Sequence, residues 1–155
     1  MARRSEAEVT SYRTLGALAL AVGWLFAGAA AAEEPEKIPV KVLVTHVSNE
    51  GTGVEPGGKG LHDNFRKHQI PFNSVRVIKK ERVVMELDEV HRIPLPNGRK
   101  ARIRPISRRE NSVLMAVDVE GSVKVDARMR SQKPFIIRAG KHDGGNLVIS
   151  LELDD

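Results

Sequence analysis

The chain of 155 residues contains no cysteine. This absence excludes disulfide bonds, thiol-dependent catalysis, cysteine-ligated zinc sites and a lipid-modified N-terminal cysteine. A domain without such links must be stabilised by its own hydrophobic core, and a chain of about 120 residues can bury roughly two-thirds of its unfolded surface. We therefore expect one domain that folds around a single core.

Aromatic residues are also scarce, at 4% of the chain. The single tryptophan and tyrosine, Trp24 and Tyr12, both precede residue 33, and only Phe65, Phe72 and Phe135 follow it. Sites for single-stranded nucleic acid stack the bases on aromatic side chains, and carbohydrate subsites use the same flat surfaces. The scarcity therefore argues against nucleic acid as a partner and against a glycoside hydrolase.

The first 32 residues have the layout of a secretory signal peptide. Arg3, Arg4 and Arg13 precede an uncharged apolar run over residues 15–32, whose last six residues are all alanine or glycine. A basic start, an apolar segment and a zone of small residues for cleavage define such signals. We expect residues 1–32 to be a Sec-type signal peptide, which predicts a periplasmic or secreted protein.

The alternative for the same segment is an uncleaved membrane anchor. The apolar run has nearly the length of about 20 residues that a transmembrane helix needs. Its strongly apolar part, however, covers only residues 15–26, which is typical of a signal peptide. If residues 15–32 were retained, the protein would be anchored in the inner membrane.

The rest of the chain shows the period-two alternation of half-buried strands. In the clearest example Ala101 and Ile103 alternate with the charged residues Lys100, Arg102 and Arg104. Asn97 and Gly98, just before this segment, are typical of a hairpin turn because both tolerate a positive φ.

Similar segments recur with turn signals every 8–12 residues, which is typical of a sandwich or a barrel. We predict an all-β fold with one short helix over residues 61–69, as an antiparallel β-sandwich or small barrel of about seven to nine strands. Residues 33–37 are predicted to be a flexible lead-in, and residues 38–155 a single β-sandwich domain.

Basic residues are concentrated on the polar side of these predicted strands, in a chain of net charge +5. If the strands belong to one sheet, their cations share a basic binding face, and such a face attracts anionic polymers, acidic proteins or membrane surfaces. The alternative is a solvated face that only maintains solubility, interleaved with Asp126 and Glu110. The predicted face comprises Lys100, Arg102, Arg104, Arg108, Arg109, Lys124, Arg128 and Arg130.

The glycine-rich segment from Gly53 to Lys59 resembles a phosphate-binding loop, but the position that should hold serine or threonine for Mg²⁺ is Gly60. We therefore expect a surface loop and no bound nucleotide. None of the five histidines shows the paired spacing of a zinc site. Loop histidines such as His62 and His142 are expected to be solvated, and neither a metal nor another cofactor is predicted.

Three segments resemble small exported bacterial β-sandwich proteins of unassigned function. The resemblance would cover most of residues 40–153 and implies a β-sandwich in the bacterial envelope, with no catalytic residue to carry over. The residues that carry it are Leu61 and Phe65 with Pro71-Phe72-x-Ser74-x-Arg76-Val77-Ile78, then Leu95-Pro96-Asn97-Gly98, and finally Gly140-Lys141-His142-Asp143-Gly144-Gly145-x-Leu147-Val148-Ile149.

These observations favour a non-enzymatic exported domain that serves as an accessory or protein-binding module of an envelope assembly. The second hypothesis is a binding module for an anionic polymer or surface, through the basic face. The third is a hydrolase with an unrecognised site, for which the sequence offers carboxylate pairs such as Glu86 with Asp88 and Asp118 with Glu120. No Gly-x-Ser-x-Gly segment for a serine nucleophile is present.

Overall fold

Strands and one helix account for most of the chain that the structure describes. The computed structural model describes residues 34–154. The elements are β1 (Ile38–Ser48), a 3-10 turn (Pro56–Gly58), α1 (Lys59–Lys67), β2 (Ser74–Met85), β3 (His91–Pro94), β4 (Lys100–Arg109), β5 (Ser112–Val119), β6 (Val123–Arg130), β7 (Phe135–His142) and β8 (Gly145–Leu153). The predicted all-β class with one short helix is confirmed.

The strands form two four-stranded antiparallel sheets. The first sheet has the order β2-β1-β8-β7, and the second sheet has the order β3-β4-β5-β6. Neighbouring strands of the second sheet follow one another in sequence, whereas the first sheet pairs β1 with β8 from the other end of the domain. The eight strands confirm the predicted sandwich, in which each sheet buries its apolar side against the other.

The hydrophobic core lies between the two sheets. Alternate residues of each strand point inward, because successive side chains of a strand project to opposite faces. Burial of an aliphatic side chain contributes roughly 1.5–3 kcal/mol, so this layer accounts for much of the stability. Its fully buried members include Val40, Val42, Val44, Met85, Ile93, Ile103, Met115, Leu147, Ile149 and Leu151.

Helix α1 packs on the outer face of the first sheet. Leu61 and Phe65 are four residues apart and so lie on one side of the helix, where they join Val47, Val75 and Val148 in a second buried cluster. Strand β1 is therefore covered on both faces, which explains why its sequence is apolar on both sides. Within its sheet β1 is central, between β2 and β8.

A charged cluster links β2 of the first sheet to β3 of the second. The Glu81 carboxylate lies 2.9 Å from Lys79 Nζ and 3.2 Å from His91 Nε2. Partial burial by itself would raise the pKa of Glu81, but the hydrogen bonds from Lys79 and His91 outweigh burial and lower that pKa. The ionised carboxylate therefore contributes to holding the edges of the two sheets together.

The turn between β3 and β4 is the hairpin turn predicted at Asn97 and Gly98. Gly98 has a φ of +80°, and the Asn97 side chain accepts a hydrogen bond of 3.2 Å from the Arg99 backbone N–H. This turn sets the register in which Ile93 faces Ala101 inside the core. The alternation of β4 is thereby fixed relative to β3.

No helix within residues 34–154 is long and apolar enough to span a membrane, and α1 has only nine residues. The predicted signal peptide, residues 1–32, and the alternative anchor, residues 15–32, lie outside the described residues.

Candidate functional site

The outer face of the second sheet collects the predicted cations. Arg102 of β4 is paired with Asp118 of β5, and Asp118 is paired in turn with Lys124 of β6, so the three side chains form one row across the sheet. The next rows contain Arg104 with Asp126, and then Arg128. We call this surface the basic face, and it comprises Arg92, Lys100, Arg102, Arg104, Arg109, Lys124, Arg128 and Arg130.

The inward neighbours of these residues explain why the face is so uniformly charged. Ala101, Ile103, Met115 and Val117 fill the core, so the alternate positions of the same strands must face water. On β4 the cations Lys100, Arg102 and Arg104 therefore recur at every second residue, which is a spacing of roughly 7 Å along the strand. On β6 the outward row contains three cations, Lys124, Arg128 and Arg130, with Asp126 between the first two.

Seven of the eight predicted cations belong to the basic face, and Arg108 does not. The pairing of β4 with β5 shifts register between Pro105 and Ser107, so that the alternation reverses beyond Pro105. Arg108 is thereby brought opposite the core residue Val113, and its Nε lies 3.2 Å from the Glu36 carboxylate. The same shift directs Arg109 outward, opposite Ser112.

Arg92 is a member of the face that the sequence analysis missed. It is exposed on β3 and lies opposite Arg102. The signal was present, because the buried residue Ile93 follows Arg92 directly and so places it on the outer side. Arg92, Lys100 and Arg102 line a recess of about 260 Å³ together with Glu120.

Only part of the positive charge is neutralised by neighbouring carboxylates. Arg102 is paired with Asp118 at 2.8 Å and Arg104 with Asp88 at 3.0 Å. Within residues 34–154, no carboxylate lies within 4 Å of the cationic groups of the other six members, which are Arg92, Lys100, Arg109, Lys124, Arg128 and Arg130. Arg128 instead donates a hydrogen bond of 3.3 Å to the Ser112 hydroxyl.

The centre of the basic face is formed by β5. Leu114 and Ala116 of β5 lie between the flanking charged strands and are only half-buried. None of the large hydrophobic side chains that are exposed among the described residues belongs to the strands of this sheet; they are Ile70, Ile78, Val84, Leu87 and Val90. The face therefore offers charge and hydrogen-bond donors, without an apolar anchor.

The histidines and the carboxylate pairs are used in local contacts. His46 is buried and its Nε2 lies 2.9 Å from the His142 carbonyl oxygen, whereas Asp88 and Asp118 pair with arginines of the basic face. No group of three or more histidine, aspartate or glutamate side chains within residues 34–154 is arranged to hold a metal ion.

The glycine-rich segment is part of a docked connection rather than an open phosphate cradle. The Val75 backbone N–H donates a hydrogen bond of 2.9 Å to the Gly53 carbonyl oxygen. The Glu55 carboxylate accepts a hydrogen bond of 2.8 Å from the Val77 backbone N–H. These contacts attach the segment to the beginning of β2, which is an edge strand of its sheet.

No family model matches this chain, and no curated protein or solved structure is significantly similar to it.

Proposed function

We propose that the protein is a non-enzymatic binding module that holds an anionic polymer through the basic face. The observation that carries this proposal is the concentration of eight cations on one sheet face, six of which have no carboxylate within 4 Å among residues 34–154. Maintaining so many like charges together raises the free energy of the folded state through mutual repulsion. A bound polyanion would relieve that repulsion and gain a Coulomb attraction.

The regular spacing favours a polymer over a small anion. On β4 the cations Lys100, Arg102 and Arg104 lie at intervals of roughly 7 Å, and neighbouring strands are about 4.8 Å apart, so a chain with repeated anionic groups can contact several cations at once. A single small anion would engage one or two of them. The recess lined by Arg92, Lys100 and Arg102 provides one deeper contact within this array.

The lack of exposed large hydrophobic side chains on the face favours a polymer over a lipid bilayer. Proteins that bind a bilayer surface combine basic residues with apolar side chains that enter the acyl region. The basic face lacks an exposed large hydrophobic residue. In the compartment predicted by the signal peptide, the partner would be a carboxylated, phosphorylated or sulfated polymer of the envelope, or an acidic segment of an envelope protein.

The test adds the full chain to fluorescently labelled poly-L-glutamate, the anionic probe. Binding is followed by the fluorescence anisotropy of the labelled polymer. Lys124→Gln, Arg128→Gln and Arg130→Gln are combined in one variant. A matched variant combines Lys59→Gln, Arg66→Gln and Lys67→Gln, which remove the same charge from α1, on the other sheet.

Affinity is expected to fall steeply with rising salt, because the contacts are exposed and screened. The first variant should lower the slope of log affinity against log salt concentration by about one for each contact removed. The α1 variant should preserve most of the slope. Equal effects of the two variants would show that only net charge matters and would overturn the proposal.

A further inference from the structure

A second surface, on the outer face of the first sheet, forms a groove with the features of a small-molecule site. One row crosses all four strands in register and contains Lys80, Leu43, Ser150 and Ile136. Beside this row, Gly57, Gly60 and Leu61 form the opposite wall of a groove. We call this space the helix groove, and its volume of about 270 Å³ is close to the lower end of the range of about 300–1,000 Å³ for ligand pockets.

The floor of the helix groove contains a hydroxyl that has no partner among the described residues. Ser150 is 9% exposed and its side chain makes no hydrogen bond to any residue within 34–154. The nearby buried hydroxyl of Thr45, by contrast, donates a hydrogen bond of 3.3 Å to the Val148 carbonyl oxygen. The Ser150 hydroxyl is therefore available to a ligand in the groove.

The charges that line the groove favour a monoanion. Lys80 has no carboxylate within 4 Å among the described residues, whereas Lys41 is paired with Asp154 at 2.6 Å. Glu152 is the one acidic group in the lining, and its repulsion of a dianion such as phosphate would be about twice its repulsion of a monoanion. One available ammonium and one hydroxyl match the two oxygens of a single carboxylate.

The remaining lining is apolar and the space beside the helix is open. Leu43, Leu61, Pro134 and Ile136 offer contact to a hydrocarbon chain. A Cβ added at Gly60 would meet nothing within 4 Å, so no protein atom fills the space beside the start of α1. The small volume limits the ligand to a short chain.

We propose that the helix groove binds a short-chain amphipathic monocarboxylate. The carboxylate accepts hydrogen bonds from Ser150 Oγ and Lys80 Nζ, and the hydrocarbon chain lies on the apolar lining. This site is separate from the basic face, because it belongs to the other sheet. The inference does not rest on the proposed polymer binding, and either can fail without the other.

The experiment titrates the full chain with octanoate and follows binding by isothermal titration calorimetry. Gly60→Phe should fill the groove and abolish saturable binding. Gly53→Phe is the matched control, because Gly53 also has open space around its Cβ position but lies outside the groove lining. The thermal unfolding of both variants is measured, so that loss of binding is not confused with loss of folding.

Two smaller substitutions test the recognition of the carboxylate without filling the space. Lys80→Gln should weaken octanoate binding about tenfold, since a charge-assisted hydrogen bond is lost. Ser150→Ala should weaken it by about threefold to tenfold, the effect of one hydrogen bond. Neither change should alter the weaker binding of octan-1-ol, which has the same chain length but no charge.

The inference is overturned if octanoate shows no saturable binding to the wild-type chain. It is also overturned if Gly60→Phe and Gly53→Phe bind octanoate equally well. Octan-1-ol binding as tightly as octanoate would refute recognition of the carboxylate, even where the groove is occupied.

Discussion

Gly145, the first residue of β8, offers a sharp test of the packing of the first sheet. A Cβ added there would press on the Val47 carbonyl oxygen, and it would lie 2.6 Å from His46 Nε2. Neither neighbour can move freely, because Val47 belongs to the central strand β1 and His46 Nε2 is within 2.9 Å of the His142 carbonyl oxygen. Gly145→Ala should therefore force the end of β8 away from β1.

The expected cost follows from two effects. Inserting a methyl group into a packed site costs about 1–3 kcal/mol, and disturbing the His46 contact costs about 1 kcal/mol more. The sum is about 2–4 kcal/mol, which at about 4 °C per kcal/mol for a domain of this size lowers Tm by about 8 °C or more. Gly60→Ala is the matched control, since the same methyl group enters open space in a helix, where it should stabilise by up to about 1 kcal/mol.

The assay is thermal unfolding of the full chain, followed by far-ultraviolet circular dichroism. Gly145→Ala should lower Tm, whereas Gly60→Ala should raise Tm or leave it at the wild-type value. A Gly145→Ala variant as stable as Gly60→Ala would refute the close approach of β8 to β1.

Three further variants test other parts of the fold by chemical denaturation. Ile103→Ala, in the core of the second sheet, should lower the free energy of unfolding by about 2–5 kcal/mol through cavity formation; a loss below 1 kcal/mol would contradict its burial. Gly98→Ala should cost about 1 kcal/mol because of its φ of +80°, and an unchanged stability would show that the turn differs. The folded-state pKa of Glu81 is lowered, so its contribution is present above its unfolded pKa and is lost as pH falls through the folded value. Glu81→Gln should reduce stability at neutral pH and flatten the acid side of the pH–stability curve, whereas an unchanged curve would show that the contacts with Lys79 and His91 do not stabilise the fold.

Much of the fold could be predicted because the strand signal is local. Apolar residues at every second position, as in β5 and β6, identify strands and their inward sides without knowledge of their partners. The order of strands in the first sheet could not be predicted, since β1 pairs with β8 across the whole domain and no local pattern records that choice. The apolar outer side of β1 is explained by a second covering layer, which α1 provides.

The basic face was predictable as far as the alternation remained regular. The prediction included Arg108 in the face, but the register shift after Pro105 depends on pairing with β5, reverses the alternation and brings Arg108 opposite the core residue Val113. Arg92 was missed although the apolar residue Ile93, directly after it, indicated its outward side. The helix groove gave no local signal, because Lys80, Leu43 and Ser150 come from three strands far apart in sequence.

The central claim is that the basic face is where an anionic polymer binds. The most direct measurement is a map of backbone amide chemical-shift changes in the full chain on addition of poly-L-glutamate at low salt. The account predicts that the shifted amides are concentrated in β4, β5 and β6, around Arg102, Lys124 and Arg128, and that those of α1 are unchanged. Shifts distributed evenly over both sheets, or centred on α1, would contradict it.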